Sequence, residues 1–166
     1  GHLAPLIGSV RAAHPGDTFL FDSGDLLQGN PLGFLYARRF GDQPNPVIRA
    51  MNLLDYDAAP IGNHEYNSGL AHLDRARAQA DFPFVSANIF RADTDEHAYA
   101  PYVLLPHASS AGDTILVGVT GNTPPGVHVW DRANVEGILE FRNVVASVAA
   151  IVERKRGEGG GVVVGL

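Results

Sequence analysis

The sequence predicts a layered α/β fold in which helices flank central sheets. Short apolar runs alternate along the chain with segments of helical periodicity, which is the pattern of a layered α/β domain. The length of 166 residues is enough for one such domain with a sizeable core. Three of the apolar runs also end in polar residues, as strands do where an open α/β sheet holds a ligand.

The first half of the chain is predicted to form four helices and three strands. The first helix should turn four apolar residues toward the core: Leu3, Leu6, Ile7 and Val10. The third helix should do the same with Val47, Ile48, Met51 and Leu54. Pro31 suits the first turn of the second helix. The remaining predicted ranges are 31–40, 46–57 and 68–80 for helices, and 18–21, 58–61 and 82–88 for strands.

The second half is predicted to form a hairpin, a helix and a last strand. The hairpin strands lie at 99–106 and 113–121 and are joined by the polar loop His107 to Asp113. A helix over 143–156 has basic residues in its last turn, where the helix dipole favours them. Val162 to Val164 should be a buried parallel strand. Such a strand should lead into another helix, so we expect a fragment of a larger protein, incomplete at both ends.

The composition excludes several kinds of partner. A net charge of -6 argues against a nucleic-acid polymer or an anionic membrane as the main partner. No apolar run approaches the roughly 20 residues that a membrane-spanning helix needs. The chain has no cysteine, so any metal ion must be bound through nitrogen and oxygen atoms.

Three polar clusters follow predicted strands. The first contains Asp22 and Asp25, the second Asn63 and His64, and the third Asn88. Ligands in α/β sheets collect outside the carboxyl ends of the strands, so we expect the three clusters to share one site. An Asx-turn leading into the next helix is the alternative interpretation of the second cluster.

The residue types in these clusters suit a divalent cation such as Mn²⁺, Mg²⁺, Ca²⁺ or Zn²⁺. The Asp25 carboxylate can bridge two ions, and Gly24 beside it allows a sharp turn. The Asn63 side chain can offer an oxygen without adding negative charge. His64 is a candidate for protonating a leaving group or steadying a phosphoryl oxygen.

Two segments, "DSGDLLQGNPL" and "GNHEYNSGL", together resemble the second and third motif blocks of the calcineurin-like metallophosphoesterases. The similarity is to the branch of exported 5′-nucleotidases and cyclic-nucleotide phosphodiesterases, and "PPGVHVWDRANVEG" extends it. The resemblance implies an N-terminal metallophosphoesterase domain over 1–166. The family's first block, its last two histidine blocks and its C-terminal nucleoside-binding domain would lie outside this stretch.

The resemblance also implies a mechanism and a set of site residues. Two divalent metal ions (Mn, Zn, Mg or Ca), roughly 3.5–4 Å apart, would clamp a phosphate and lower the pKa of a bound water. Asp25 and Asn63 would be metal ligands, and His64 would be catalytic. Because two ligands cannot hold a dinuclear centre, we expect residues 1–166 alone to be inactive.

Two further features favour one subgroup, the bifunctional 2′,3′-cyclic-nucleotide 2′-phosphodiesterase/3′-nucleotidases. Asn67 stands where 5′-nucleotidases usually have Asp, and the segment from Trp130 to Asn134 matches the subgroup's W-D-[KR]-x-N element. Asn67 is assigned to substrate binding, and the substrate to a small nucleotide. The alternatives are a 5′-nucleotidase or UDP-sugar hydrolase, and a non-catalytic scaffold on the same fold.

Structural roles are expected for several other polar residues. Asp22 should brace its loop, and the resemblance implies the same role for Glu65. Asn30 could either line a phosphate pocket or cap the helix beginning at Pro31. Trp130 should anchor its loop. Surface positions are expected for His2, His14, His72, His97 and His107.

Overall fold

A computed structural model describes residues 2–41, 43–108, 112–157 and 161–166. Two short parallel strands, β1 (Ala59–Pro60) and β2 (Phe84–Val85), lie at its centre, with Ala59 opposite Phe84. On the other side of β1, Phe21 forms a parallel bridge to Ala58. The segments that end in the first and second polar clusters therefore run side by side and in the same direction.

The predicted strand 18–21 is reduced to that single bridge, so this prediction was wrong in extent. The backbone N–H of Asp57 donates to Leu20 O at 2.8 Å, and the N–H of Asp22 donates to Ala58 O at 3.2 Å. The N–H of Leu20, however, donates to the Asp57 carboxylate at 2.6 Å. A side chain thus takes the place of a neighbouring strand.

A three-stranded sheet contains the predicted hairpin. β4 (Tyr102–Ala108) pairs antiparallel with β5 (Thr114–Thr120), and β5 pairs in parallel with β7 (Val162–Gly165). The parallel direction of the last strand was predicted correctly, but its burial was not, because Val162 is 49% exposed. Residues 109–111 of the predicted polar loop lie outside the described ranges.

A third pair of strands was not predicted. β3 (Ile89–Arg91) and β6 (Leu139–Phe141) pair antiparallel, with Ile89 opposite Phe141. The predicted strand 82–88 is correspondingly shorter and ends at Val85 as β2. Three residues are too few to show a hydrophobic period, so β3 and β6 could not be recognised from the sequence.

The helices that were predicted are all present, but the third ends at Asn52 and not at residue 57, so its predicted extent was wrong. Asn30 and Asn45 cap α2 and α3 by accepting backbone N–H groups, and proline follows each of them. The capping interpretation of Asn30 is therefore confirmed. In chain order the helices are α1 (Leu3–Ala13), α2 (Pro31–Arg39), α3 (Pro46–Asn52), α4 (Leu70–Gln79), α5 (Val127–Trp130), α6 (Arg132–Val135) and α7 (Val144–Gly157).

Two side-chain environments differ from expectation. The apolar face of α1 is not buried, and Leu6 on it is 61% exposed. His72 on α4, expected on the surface, is 3% exposed and lies against the Tyr36 ring of α2, with ring centroids 5.7 Å apart. Burial lowers the pKa of His72, with Arg75 adding a smaller effect in the same direction.

The main core lies beneath residues 62–69, which form the second polar turn. Ile61 and Tyr66 are fully buried there, together with Ile48 of α3 and Leu73 of α4. The Tyr66 ring meets Phe141 of β6 edge-on, at a centroid distance of 5.5 Å. The turn is thus supported from below by both halves of the chain. In the described ranges, no helix has the length and apolar character needed to cross a membrane.

Candidate active site

The turn that carries the first polar cluster, Asp22 and Asp25, is called here the first polar turn. It places Asp25 in an unusual backbone conformation. Gly24 has φ +89° and Asp25 has φ +62°, a left-handed region that Asp tolerates better than most residues. The Asp22 carboxylate accepts the N–H of Gly24 at 2.7 Å, which closes the turn. Asp22 therefore braces the loop, as the sequence predicted.

Glu65 connects the first turn to the second. Its side chain is fully buried and accepts the backbone N–H of Asp25 at 3.0 Å, of Leu27 at 3.3 Å and of Leu26. Burial raises the pKa of Glu65, while these three N–H donors favour the ionised form and limit the rise. The predicted bracing role of Glu65 is confirmed.

The two turns approach each other closely at Gly62. A Cβ atom at this position would lie 2.7 Å from the Asp25 backbone nitrogen and 2.9 Å from Glu65 Oε2, so a side chain would not fit. Asp25 Oδ1 accepts the backbone N–H of His64 at 2.9 Å. The structure thus brings Asp25, Asn63 and His64 to one edge of the β1–β2 pair.

Asn63 stands at the start of a 3₁₀ turn, His64–Tyr66, but its side chain makes no capping hydrogen bond there. The next helix, α4, is preceded by Gly69, which has φ +83° and no side chain to cap it. The Asx-turn interpretation of this cluster is therefore not what the structure shows. The Asn63 side chain is not used to cap the local backbone and can face a ligand.

A chain of side chains runs from His64 to Asp131. His64 Nδ1 lies 2.7 Å from Asn67 Oδ1. The Asn67 amide nitrogen in turn donates to both carboxylate oxygens of Asp131, at 2.9 and 3.1 Å. The two features that favoured one subgroup, Asn67 and the segment after Trp130, are thus in direct contact.

The segment 126–135 is held against the second turn. The Asn134 amide donates to Tyr66 O at 2.9 Å, while Val135 is buried in the core below. The Trp130 ring lies over Gly126, where a Cβ atom would be 2.6 Å from ring carbon Cζ2. Trp130 therefore packs within its own segment, although its surface is 63% exposed.

Asn88 is not part of the site, which corrects the expectation that three clusters meet there. It is fully buried, and its amide nitrogen donates to Thr123 O at 2.8 Å and Arg142 O at 3.1 Å. Its Oδ1 accepts the N–H of Thr123 at 2.9 Å. The Thr123 hydroxyl donates to Ile61 O, one residue before Gly62. Asn88 and Thr123 therefore support the second turn from behind.

The donor atoms at the site fit part of a metal centre. A carboxylate from Asp25 and an amide oxygen from Asn63 are ligands that hard and borderline divalent cations accept. Within the described ranges, no three His, Asp or Glu side chains come together as a metal-binding group. Asp25 and Asn63 therefore supply some of the ligands that such a centre needs, but not all of them.

Comparison with known proteins gives several relatives, although no family model matches the chain. The trifunctional nucleotide phosphoesterase protein YfkN of Bacillus subtilis is 38% identical over 174 residues, covering 98% of this chain and 12% of that protein. A 2′,3′-cyclic-nucleotide 2′-phosphodiesterase/3′-nucleotidase of Haemophilus influenzae is 36% identical over 169 residues, covering 98% and 26%. The chain thus spans about an eighth and a quarter of these two curated relatives.

The fold of the chain is also similar to that of a solved structure of YfkN. The crystal structure of the calcineurin-like phosphoesterase YfkN from Bacillus subtilis matches with a TM-score of 0.88 and 37% identity, over 98% of this chain and 51% of that chain. The predicted fold class is therefore confirmed. By sequence and by fold, the chain belongs to the calcineurin-like phosphoesterases and is related to their nucleotide-hydrolysing members.

Proposed function

We propose that the intact protein containing residues 1–166 hydrolyses 2′,3′-cyclic nucleotides and 3′-nucleotides to a nucleoside and phosphate. The observation that supports this most directly is the joint placement of Asp25, Asn63 and His64. The buried carboxylate of Glu65 accepts hydrogen bonds from the backbone of the Asp25 turn. Glu65 lies on the second polar turn, so these bonds hold the Asp25 turn close to Asn63 and His64. A scaffold without catalysis would not need this constellation.

Asp25 and Asn63 are the residues that would hold metal, with further ligands from outside the described residues. Two divalent ions, of Mn, Zn, Mg or Ca, would supply an activated water and neutralise charge on the phosphate when bound. Asp25 would be the ligand shared by the two ions, because a carboxylate offers two oxygens. Its Oδ1 already accepts the His64 N–H, which fixes the orientation of the carboxylate.

His64 would act on the substrate through its Nε2 atom. The other ring nitrogen, Nδ1, is engaged with Asn67 Oδ1 at 2.7 Å, so Nε2 is the ring nitrogen left to face a phosphoryl or leaving-group oxygen. We propose that Asn67 contributes to substrate binding through this contact, because it holds the His64 ring toward the substrate. The ring would then stabilise charge that develops as the ester bond breaks.

The choice of substrate rests on the subgroup features and on the relatives. Asn67 and the Trp130–Asn134 segment are in contact through Asp131, and one similar protein is named for cyclic-nucleotide and 3′-nucleotide hydrolysis. In this proposal, residues 1–166 form an N-terminal metal-binding domain, a C-terminal domain holds the nucleoside, and the protein is exported.

The experiment is a set of steady-state assays on the intact protein, under one metal condition, with four substrates. We expect the highest kcat/KM for a 2′,3′-cyclic nucleotide, followed by the 3′-monophosphate. A clear preference for the 5′-monophosphate or for a UDP-sugar would move the protein to the alternative activities. No turnover of any of the four by metal-loaded protein would favour the scaffold.

A further inference from the structure

We propose that Asp131 is a positioning residue for His64, acting through the side chain of Asn67. This inference rests on the proposed catalytic role of His64. Asp131 lies 64 residues beyond Asn67 in the chain, yet its carboxylate receives the Asn67 amide with both oxygens. It would determine which ring nitrogen of His64 carries hydrogen and which way the ring points.

The two ends of the Asn67 amide form different kinds of hydrogen bond. Its nitrogen can only donate hydrogen bonds and its oxygen can only accept them, whereas an ionised carboxylate can only accept. Asp131 therefore forces the amide nitrogen toward itself and leaves Oδ1 to face His64. Without Asp131, the amide could rotate by half a turn and present its NH₂ group to the ring instead.

The orientation of Asn67 then decides the tautomer of His64. An amide oxygen 2.7 Å from Nδ1 requires a hydrogen on Nδ1, because two acceptors would repel each other. Nε2 consequently remains the ring nitrogen that faces outward. A fixed tautomer keeps the ring in one orientation, and positioning of this kind is what a reacting group needs in its productive geometry.

The local geometry of Asp131 favours this role over a surface role. Asp131 occupies the N-cap position of α6, where Asp usually caps the helix, yet it makes no capping hydrogen bond. The charged neighbours Arg132 and Glu136 pair with each other. The carboxylate is thus directed across to the second turn rather than used within its own segment.

The backbone that carries Asp131 is fixed on both sides. Val127 and Val135 flank it in sequence and are 0% and 1% exposed. The Asn134 amide donates to Tyr66 O, on the same turn as Asn67. A carboxylate on a mobile loop could not hold an amide in one orientation, whereas this segment is anchored in the core and on the turn itself.

The test uses the intact protein and four variants. We expect Asp131→Ala to lower kcat about 10-fold with little change in KM, the lower end of what losing such an orienting partner costs. Glu136→Ala, which removes an exposed carboxylate five residues away, is the matched control and should leave kcat unchanged. Asn67→Asp should also lower kcat, because two carboxylates would then face each other.

The decisive variant combines Asn67→Asp with Asp131→Asn. The exchange restores the chain of hydrogen bonds, since the new carboxylate accepts from His64 Nδ1 and the new amide donates to that carboxylate. We expect this double variant to recover most of the activity that Asn67→Asp loses. If it is no better than Asn67→Asp, the positioning role is wrong. Should Asp131→Ala fail to fold, this comparison still tests the proposal.

A second readout does not depend on turnover. With ¹⁵N-labelled histidine and Mg²⁺ alone, NMR shifts of the His64 ring nitrogens should show hydrogen on Nδ1 in the native protein and a mixture of tautomers in Asp131→Ala. Unchanged shifts in Asp131→Ala would overturn the inference. A protein that hydrolyses no nucleotide but shows the tautomer change would refute the proposed function and leave the positioning role intact.

Discussion

The Glu65 carboxylate accepts the backbone N–H of Asp25 at 3.0 Å, although the two residues are 40 positions apart. Together with the bonds that Glu65 accepts from Leu26 and Leu27, this contact ties the Asp25 turn to the turn that carries Asn63. This buried side chain therefore helps to set the separation between the Asp25 turn and the Asn63 turn, on which a shared site depends.

Replacing Glu65 tests this connection. Glu65→Gln should destabilise the protein by about 1–3 kcal/mol, because the amide NH₂ would face backbone donors and leave one of them unsatisfied. It should also lower activity, since the Asp25 turn would shift. Thermal unfolding and kcat of the intact protein measure both effects. Glu153→Gln changes an exposed side chain and serves as the control, and equal stability of the two variants would contradict the assignment.

The close approach at Gly62 leads to a second prediction. Gly62→Ala would place a methyl group 2.7 Å from the Asp25 nitrogen, so the two turns must separate. We expect a cost of about 1–3 kcal/mol, as for overpacking in a core, and a fall in metal affinity. Gly8→Ala is the matched control, because no atom lies within 4 Å of its Cβ position and alanine favours the helix. Unfolding and metal titration distinguish the two variants.

The roles of Asn63 and His64 are separable. His64→Gln should lower kcat by about 10² to 10⁴, as loss of a positioned acid or charge stabiliser does, while metal content stays nearly unchanged. Asn63→Ala should reduce metal content. Metal analysis of the purified variants beside kinetics tests both expectations, and loss of an ion from the His64 variant alone would show that the two roles are reversed.

His72 should make the free energy of unfolding depend on pH. Because burial lowers its pKa below the usual 6.5, the folded state keeps the ring neutral where the unfolded chain binds a proton. The unfolding free energy should therefore fall as pH drops below about 6.5, by at most about 1.4 kcal/mol per pH unit for this one group. His72→Leu should show a shallower dependence between pH 7.5 and 5.5 in urea unfolding. The same pH dependence in His72→Leu as in the native protein would contradict this expectation.

Residues 1–166 alone should bind metal weakly and show negligible turnover. Asp25 and Asn63 are too few ligands for a dinuclear centre, since divalent ions take four or more. Calorimetric titration with Mn²⁺ and a phosphodiester assay on the purified stretch would check this. Two tightly bound ions together with robust activity would show that the stretch supplies a complete site.

The meeting of Asp25 with Asn63 and His64 could be predicted, because each follows an apolar run and parallel segments end at the same edge. Ile48 and Met51 were likewise found in the core as helical spacing predicts. These predictions succeed because they depend on periodicity and strand direction, which can be recognised from residues that are close together in the sequence.

The positions of Asp131, Thr123 and Asn88 could not be predicted in the same way. Asp131 binds a residue 64 positions earlier, and no local pattern indicates such a partner. Asn88 also follows a strand, but β2 ends at Val85, and Asn88 is fully buried beyond that end. His72 was misplaced because histidine more often lies at the surface, whereas Tyr36 of another helix covers it here.

The hydrogen bond from the Thr123 hydroxyl to Ile61 O has a mechanical consequence. β5 ends at Thr120, three residues before Thr123. Since Ile61 directly follows β1, this hydrogen bond connects the three-stranded sheet to the end of β1. None of the site side chains described above comes from that sheet. Since packed interiors resist compression and transmit strain, a load on the outer strands would still displace Ile61, and with it the position of Asn63. The geometry of the site thus depends on the three-stranded sheet as well as on the β1–β2 pair.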